Sequence, residues 1–111
     1  ETLPIIEILS ENEFYDYESK YTSGMSHHLI PARISDKVKK LTEEAALKAY
    51  RTAECKGLSR IDFIIDKNGE PYFIEINTSP GMTDVSLFPE SAKSAGMDFP
   101  LLVDKIVKLA I

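Results

Sequence analysis

RIDFIIDKNGEPYFIEINTSPG, residues 60–81, is the stretch whose reading decides the fold. It divides into two apolar-rich runs of strand length around Asn68-Gly69, a pair favoured in type I′ reversals because both central residues there need positive φ. With those two residues at the turn, Lys67 faces Glu70, and every opposed pair of residue numbers has the same sum. Asp62 then lies opposite Glu75, Arg60 opposite Asn77 and Ile64 opposite Phe73, all on one face of the hairpin. Ile61, Phe63, Ile65, Tyr72, Ile74 and Ile76 take the other face. Opposed carboxylates destabilise a strand pair by about 0.2–1 kcal/mol, so their presence asks for a reason. Two carboxylates and the Asn77 amide form a hard oxygen set suited to Mg²⁺ or Mn²⁺. On the residues alone, an exposed hairpin face with solvated acids is the other reading.

Working outward, residues 36–56 place Val38, Leu41, Ala45, Ala49 and Ala53 at three- and four-residue spacing, with Leu47 and Tyr50 widening the stripe. This predicts an amphipathic helix capped by Ser35 or Asp36 and ended by Gly57, packed on the apolar face of the hairpin. Beyond Asn77, the Thr78-Ser79-Pro80-Gly81 loop is of the kind that turns backbone N–H groups toward an anion. Pro89 suits the first turn of a short helix closed by Gly96. Asp98 caps a last helix with Leu102, Val103, Ile106, Leu109 and Ala110 on its inner face. At the other end, Leu3–Leu9 is an apolar run of strand length, and residues 10–35 show neither period. Adjacent His27 and His28 there point apart on an extended chain and read as surface residues rather than metal ligands. The class is α+β: an antiparallel sheet with helices on one face and a site on the other.

The 111 residues, 43% of them apolar, suit one domain with one modest core. A net charge of −5 and scattered Lys and Arg argue against nucleic acid or an anionic membrane surface as partner. No apolar stretch has the length of a membrane span. Cys55 is the sole cysteine, which excludes an intrachain disulfide and suggests a reducing compartment. The chain opens mid-pattern and without Met, as a piece of something longer would.

GLSRID at 57–62 and EINTSPGMT at 75–83 resemble the D-alanine–D-alanine ligases of the ATP-grasp superfamily. FYDYESKY at 14–21 is similar to that family's ω-loop segment, and SLFP at 86–89 with AGM at 95–97 to its C-terminal portion. The resemblance implies that residues 1–111 are the C-terminal part of an ATP-grasp domain, with 10–35 as a long ω-type loop. It implies ATP and two Mg²⁺ (or Mn²⁺) ions, held by Asp62, Glu75 and Asn77 with Glu75 shared. Arg60 would stabilise the transferring phosphoryl group, and the N–H of Gly81 the oxyanion. Ser86 and the Leu87 backbone would receive the carboxylate of the second D-alanine. Lys20 would approach the nucleotide phosphates, Tyr21 would order the closing loop, and Ile64 would floor the purine.

The implied reaction joins two D-alanines through an acyl phosphate, in the cytoplasm, for peptidoglycan synthesis. Its partners are ATP, D-alanine and the missing N-terminal portion of the same enzyme, with a homodimer allowed. Without that portion the 111 residues are not expected to turn over. Lys20-Tyr21 favours the dipeptide ligase over the D-alanyl-D-lactate relatives. Another ATP-grasp carboxylate–amine ligase and a non-catalytic binding module of the same fold are the alternatives.

Overall fold

The structure, a computed structural model, describes residues 2–10, 13, 28–83 and 85–111; Lys20, Tyr21 and His27 fall outside them. The elements run β1 (Glu7–Ile8), β2 (His28–Leu29), α1 (Asp36–Thr52), β3 (Arg60–Ile65), β4 (Pro71–Asn77), α2 (Leu87–Ser94) and α3 (Phe99–Ala110). The arrangement is α+β, but among the described residues the strands form two separate antiparallel ribbons, β1–β2 and β3–β4.

The β3–β4 hairpin keeps half of the expected register and alters the rest. Of the turn pair only Gly69 has positive φ, at 83°, so the type I′ reversal is not formed. The Asp66 carboxylate accepts hydrogen bonds from the backbone N–H of Asn68 and of Glu70, each at 2.9 Å. The Asp66 N–H donates to the Glu70 carbonyl and the Gly69 N–H to the Asp66 carbonyl, both at 3.0 Å. Glu70 therefore faces Asp66 instead of Lys67, with three residues in the loop, because an aspartate side chain captured the chain one residue earlier.

That one-residue shift carries Ile64 opposite Tyr72 rather than Phe73, and Phe63 opposite Phe73. A bulge on β4 then inserts Ile74 and restores the original pairing above it: Asp62 with Glu75, Ile61 with Ile76, Arg60 with Asn77. Phe63 and Phe73 confirm the lower register by meeting edge-on, ring centroids 6.1 Å apart at 80°. Phe73 thus moves to the face expected for Tyr72, and Tyr72 joins Ile64.

Ser35 caps α1 by accepting the Val38 N–H at 3.2 Å, as expected, and α1 packs against β4. A Cβ on Gly69 would lie 2.9 Å from Val38 Cγ2, so the glycine serves both its backbone angle and the close approach of this helix. The helix ends at Thr52, earlier than the expected Gly57 stop. Glu54 takes φ 54° and the Cys55 N–H bonds to the Tyr50 carbonyl at 3.1 Å, which ends the run. Gly57 lies farther on, where its carbonyl accepts the Tyr50 hydroxyl at 2.6 Å. The buried residue of α1 is Thr42, whose hydroxyl donates to the Val38 carbonyl at 2.8 Å, while Leu41 stays at the surface.

Of the Leu3–Leu9 run only Glu7 and Ile8 pair, with Leu29 and His28. The Ala32 N–H extends the connection to the Ile5 carbonyl at 2.9 Å. Leu9 and Leu29 are buried beside this ribbon. Asp98 caps α3 through the Leu101 N–H at 3.0 Å. On α3 only Leu102 is buried and Ile106 partly so; Val103, Leu109 and Ala110, expected inside, are exposed because, among the described residues, α2 is the one helix that α3 packs against closely. An open hollow of about 970 Å³ runs between the N-terminal segment, α1, β3 and α3, and no large side chain among the described residues is fully buried. Close-packed interiors leave few voids larger than a water molecule, so these apolar faces are incompletely covered.

Glu7 closes the base of the β1–β2 ribbon. Its carboxylate accepts the Arg33 backbone N–H at 2.9 Å and two guanidinium bonds at 3.2 and 2.8 Å. The side-chain hydrogen bonds from Arg33 lower the Glu7 pKa against the opposing effect of desolvation, and the Arg33 N–H and charge lower it further. A depressed carboxylate stabilises the fold above its unfolded value near 4.5 and loses that contribution as pH falls through the folded value. Glu7→Gln is therefore expected to lower the urea midpoint at neutral pH, and the gap to the parent should narrow as pH is taken below 4.5 and close once the folded-state carboxylate is protonated.

Candidate functional site

The upper half of the hairpin gathers Arg60, Asp62, Glu75 and Asn77. Strand alternation and the restored register set Asp62 directly across from Glu75, and Arg60 across from Asn77. The Arg60 guanidinium grips Asp62 with two bonds, Nε to Oδ1 at 3.0 Å and Nη2 to Oδ2 at 3.1 Å. The same Nη2 lies 3.6 Å from Glu75 Oε1. These contacts hold Arg60 above its already high ordinary pKa. The hydrogen bonds to Asp62 lead; partial burial opposes, and the charges of Asp62 and Glu75 reinforce. Asp62 is about a third exposed and Glu75 more than half, so both acids remain open to a ligand.

Asn77 ends β4 with its side-chain oxygen accepting the Ser79 N–H at 2.9 Å, an Asx turn that fixes the amide and starts the loop toward Gly81. Among the described residues no three His, Cys, Asp or Glu side chains come together as a cation cluster. The donor set nevertheless suits a hard divalent ion, because Asn77 supplies a third oxygen and its carbonyl keeps a second lone pair. Arg60 then doubles as the counter-charge that keeps Asp62 and Glu75 apposed when no cation lies between them.

A second corner forms around Gly81, Ser86 and Leu87. Pro80 is buried and anchors the loop, whereas Gly81 is exposed. A Cβ at Gly81 would stand 2.8 Å from Ser86 Oγ, so this residue meets the serine as only glycine can without displacement. Ser86 Oγ accepts the Thr83 N–H at 2.9 Å and shares a 2.7 Å hydrogen bond with Thr83 Oγ1. Ser86 precedes α2 as its N-cap yet makes no side-chain bond to that helix. The first N–H groups of α2, beginning at Leu87, thus receive no bond from the Ser86 side chain at the corner where Gly81 and Ser86 meet.

Of the residues singled out from sequence, the structure joins Arg60, Asp62, Glu75 and Asn77 in one group, and Gly81, Ser86 and Leu87 in another. Three residues, Thr78, Ser79 and Pro80, separate Asn77 from Gly81. Ile64 is 60% exposed and shares its cross-strand position with Tyr72, 56% exposed, a neighbour concealed by the misplaced register. Lys20 and Tyr21 lie outside the described residues. Thr83, which steadies Ser86, was not anticipated; the TDVS spacing of an ST turn at 83–86 was its signal. His28 is not a surface residue. Its side chain is 12% exposed and Nε2 is hydrogen-bonded to Glu90 Oε2.

The sequence profile of the family described as "D-ala D-ala ligase C-terminus" matches residues 1–108. A curated D-alanine–D-alanine ligase of Desulforudis audaxviator is 54% identical over 108 residues, covering 97% of this chain and 35% of the relative. That of Pelotomaculum thermopropionicum is 50% identical over 109 residues, covering 98% and 34%. Among solved structures, the D-alanine–D-alanine ligase of Bacillus anthracis complexed with ATP superposes with a TM-score of 0.79 at 31% identity, over 96% of this chain and 33% of that one. The chain spans about a third of the length of the relatives it matches.

Gly81→Ala is expected to push Ser86 Oγ off its Thr83 partners, since a contact of 2.8 Å cannot be kept. The check is loss of the slowed exchange of the Thr83 amide proton, whose acceptor is Ser86 Oγ.

Proposed function

Because the chain belongs to the family of D-alanine–D-alanine ligase C-termini, we propose that it is the part of an ATP-dependent D-alanine–D-alanine ligase that binds the metal ions, the transferring phosphoryl group and the acceptor carboxylate. The observation that carries the proposal is the opposed pair Asp62–Glu75, with Arg60 on one carboxylate and within 3.6 Å of the other and Asn77 at the strand end. A planar cation beside two carboxylates and an amide is the equipment for anchoring Mg²⁺ (or Mn²⁺) while meeting a phosphoryl group.

Asp62, Glu75 and Asn77 would hold two divalent ions, with Glu75 shared between them. Bound ions supply charge screening for the triphosphate and Lewis acidity at the phosphoryl oxygens. The Arg60 guanidinium would meet the γ-phosphoryl group as it passes to the carboxylate of the first D-alanine. The products of that step are an acyl phosphate and ADP. The amine of the second D-alanine attacks the acyl carbon, the Gly81 N–H donates to the oxyanion that forms there, and inorganic phosphate departs. The start of α2 at Leu87, with the Ser86 hydroxyl, would receive the carboxylate of the second D-alanine as acceptor. Ile64, exposed on the same face as Asp62, would contribute to the purine floor. Lys20 would meet the nucleotide phosphates, and Tyr21 would order the closing loop. The place of action is the cytoplasm, where ATP is available, and the product serves peptidoglycan synthesis.

The incompletely covered hollow and the one-third length match support an active enzyme that needs its N-terminal portion. In the full-length enzyme, D-alanine-dependent ADP formation is expected, and none from the 111 residues alone. Glu75→Ala should weaken Mn²⁺ binding at least about tenfold and abolish turnover, as loss of a bridging ligand would. Unchanged Mn²⁺ affinity in Glu75→Ala, or ADP formation indifferent to D-alanine, would overturn the proposal.

A further inference from the structure

The acceptor corner depends on a helix of only eight residues, α2, and the structure shows what holds that helix in place. Two consecutive residues of α2 are tied to the N-terminal part of the chain, one to β2 and one to the segment preceding β1. Glu90 Oε2 is hydrogen-bonded to His28 Nε2 of β2, and the Ser91 hydroxyl donates to the Pro4 carbonyl at 2.6 Å. Ala92 next to them is fully buried, so the helix is seated as well as tied. The partners are 62 and 87 residues away in sequence, and neither belongs to the hairpin or to the corner itself.

Glu90 sits in the first turn of α2. A carboxylate there faces the partial positive charge that an incoming anion would use, and unpaired it would compete with that anion. The His28 ring binds Glu90 from the ribbon side, which fixes the helix axis and engages the acid elsewhere. We infer that His28 and Glu90 are positioning residues for the acceptor carboxylate, acting through the placement of Ser86 and the first turn of α2. This rests on the reading of Ser86 and Leu87 as the acceptor-carboxylate corner.

The test uses the full-length enzyme with steady-state kinetics in ATP and in the acceptor amino acid. Glu90→Ala and His28→Ala should each raise the acceptor KM roughly three- to tenfold, leaving kcat and the KM for ATP within about twofold. Glu90→Gln keeps an oxygen that accepts from the ring and should stay within about twofold of the parent in acceptor KM. The double variant His28→Ala with Glu90→Ala should be no worse than either single one, because both remove the same bond. An unchanged acceptor KM in Glu90→Ala, a Gln variant as impaired as the Ala variant, or a fall in kcat with equal rises in both KM values would overturn the inference. Ser86→Ala separates it from its premise. A raised acceptor KM there with wild-type behaviour in Glu90→Ala leaves the corner standing and removes only the positioning role. No change in Ser86→Ala removes both.

Discussion

Like charges set across a strand pair repel, and Asp62 and Glu75 face one another in the middle of β3–β4. Arg60 resolves the conflict in the structure by placing one flat guanidinium between them, doubly bonded to Asp62 and within 3.6 Å of Glu75. Such a fork matches a carboxylate in both spacing and plane, which a lysine ammonium would not. The arrangement is conditional on register. A slip of one residue would send Glu75 to the opposite face from Asp62 and strand both the acids and the arginine.

The rest of the fold serves that registration and the corner beyond it. The Asx bonds of Asp66 set the turn, Ile74 takes up the extra residue, and α1 presses Val38 onto Gly69 so closely that no side chain fits there. On the far side, Asn77 directs the chain out of β4, buried Pro80 holds its course, and Gly81 arrives against Ser86. The N-terminal ribbon and the segment leading into it contribute from a distance. Glu7 and Arg33 close its base, while His28 and Pro4 reach across to α2.

What was legible in the sequence was whatever local chemistry alone decides. Ser35 and Asp98 have only one good use beside an apolar stripe, and both act as N-caps. The Asp62–Glu75 and Arg60–Asn77 pairs follow in sequence from a two-residue Asn68-Gly69 turn that the chain does not form. They survive because the three-residue loop and the bulge displace the register by one each, in opposite senses. Between those two shifts the reading fails, and Ile64 meets Tyr72 instead of Phe73. Asp66 overrides the Asn-Gly preference because its side chain bonds two backbone N–H groups at once. The His28–Glu90 tie was invisible for a different reason: a contact spanning 62 residues leaves no periodicity to read. Val103 and Leu109 look inward by pattern, yet a helix buries only the stripe that a neighbour covers.

The turn at the tip of β3–β4 divides its labour unevenly. Asp66 holds the backbone and Gly69 supplies both the angle and the clearance, while the Lys67 and Asn68 side chains between them stand in solvent. Those two positions are accordingly free of geometric duty. A fluorophore or affinity tag coupled at Lys67 would report from the hairpin's end without tugging on the acids at its root.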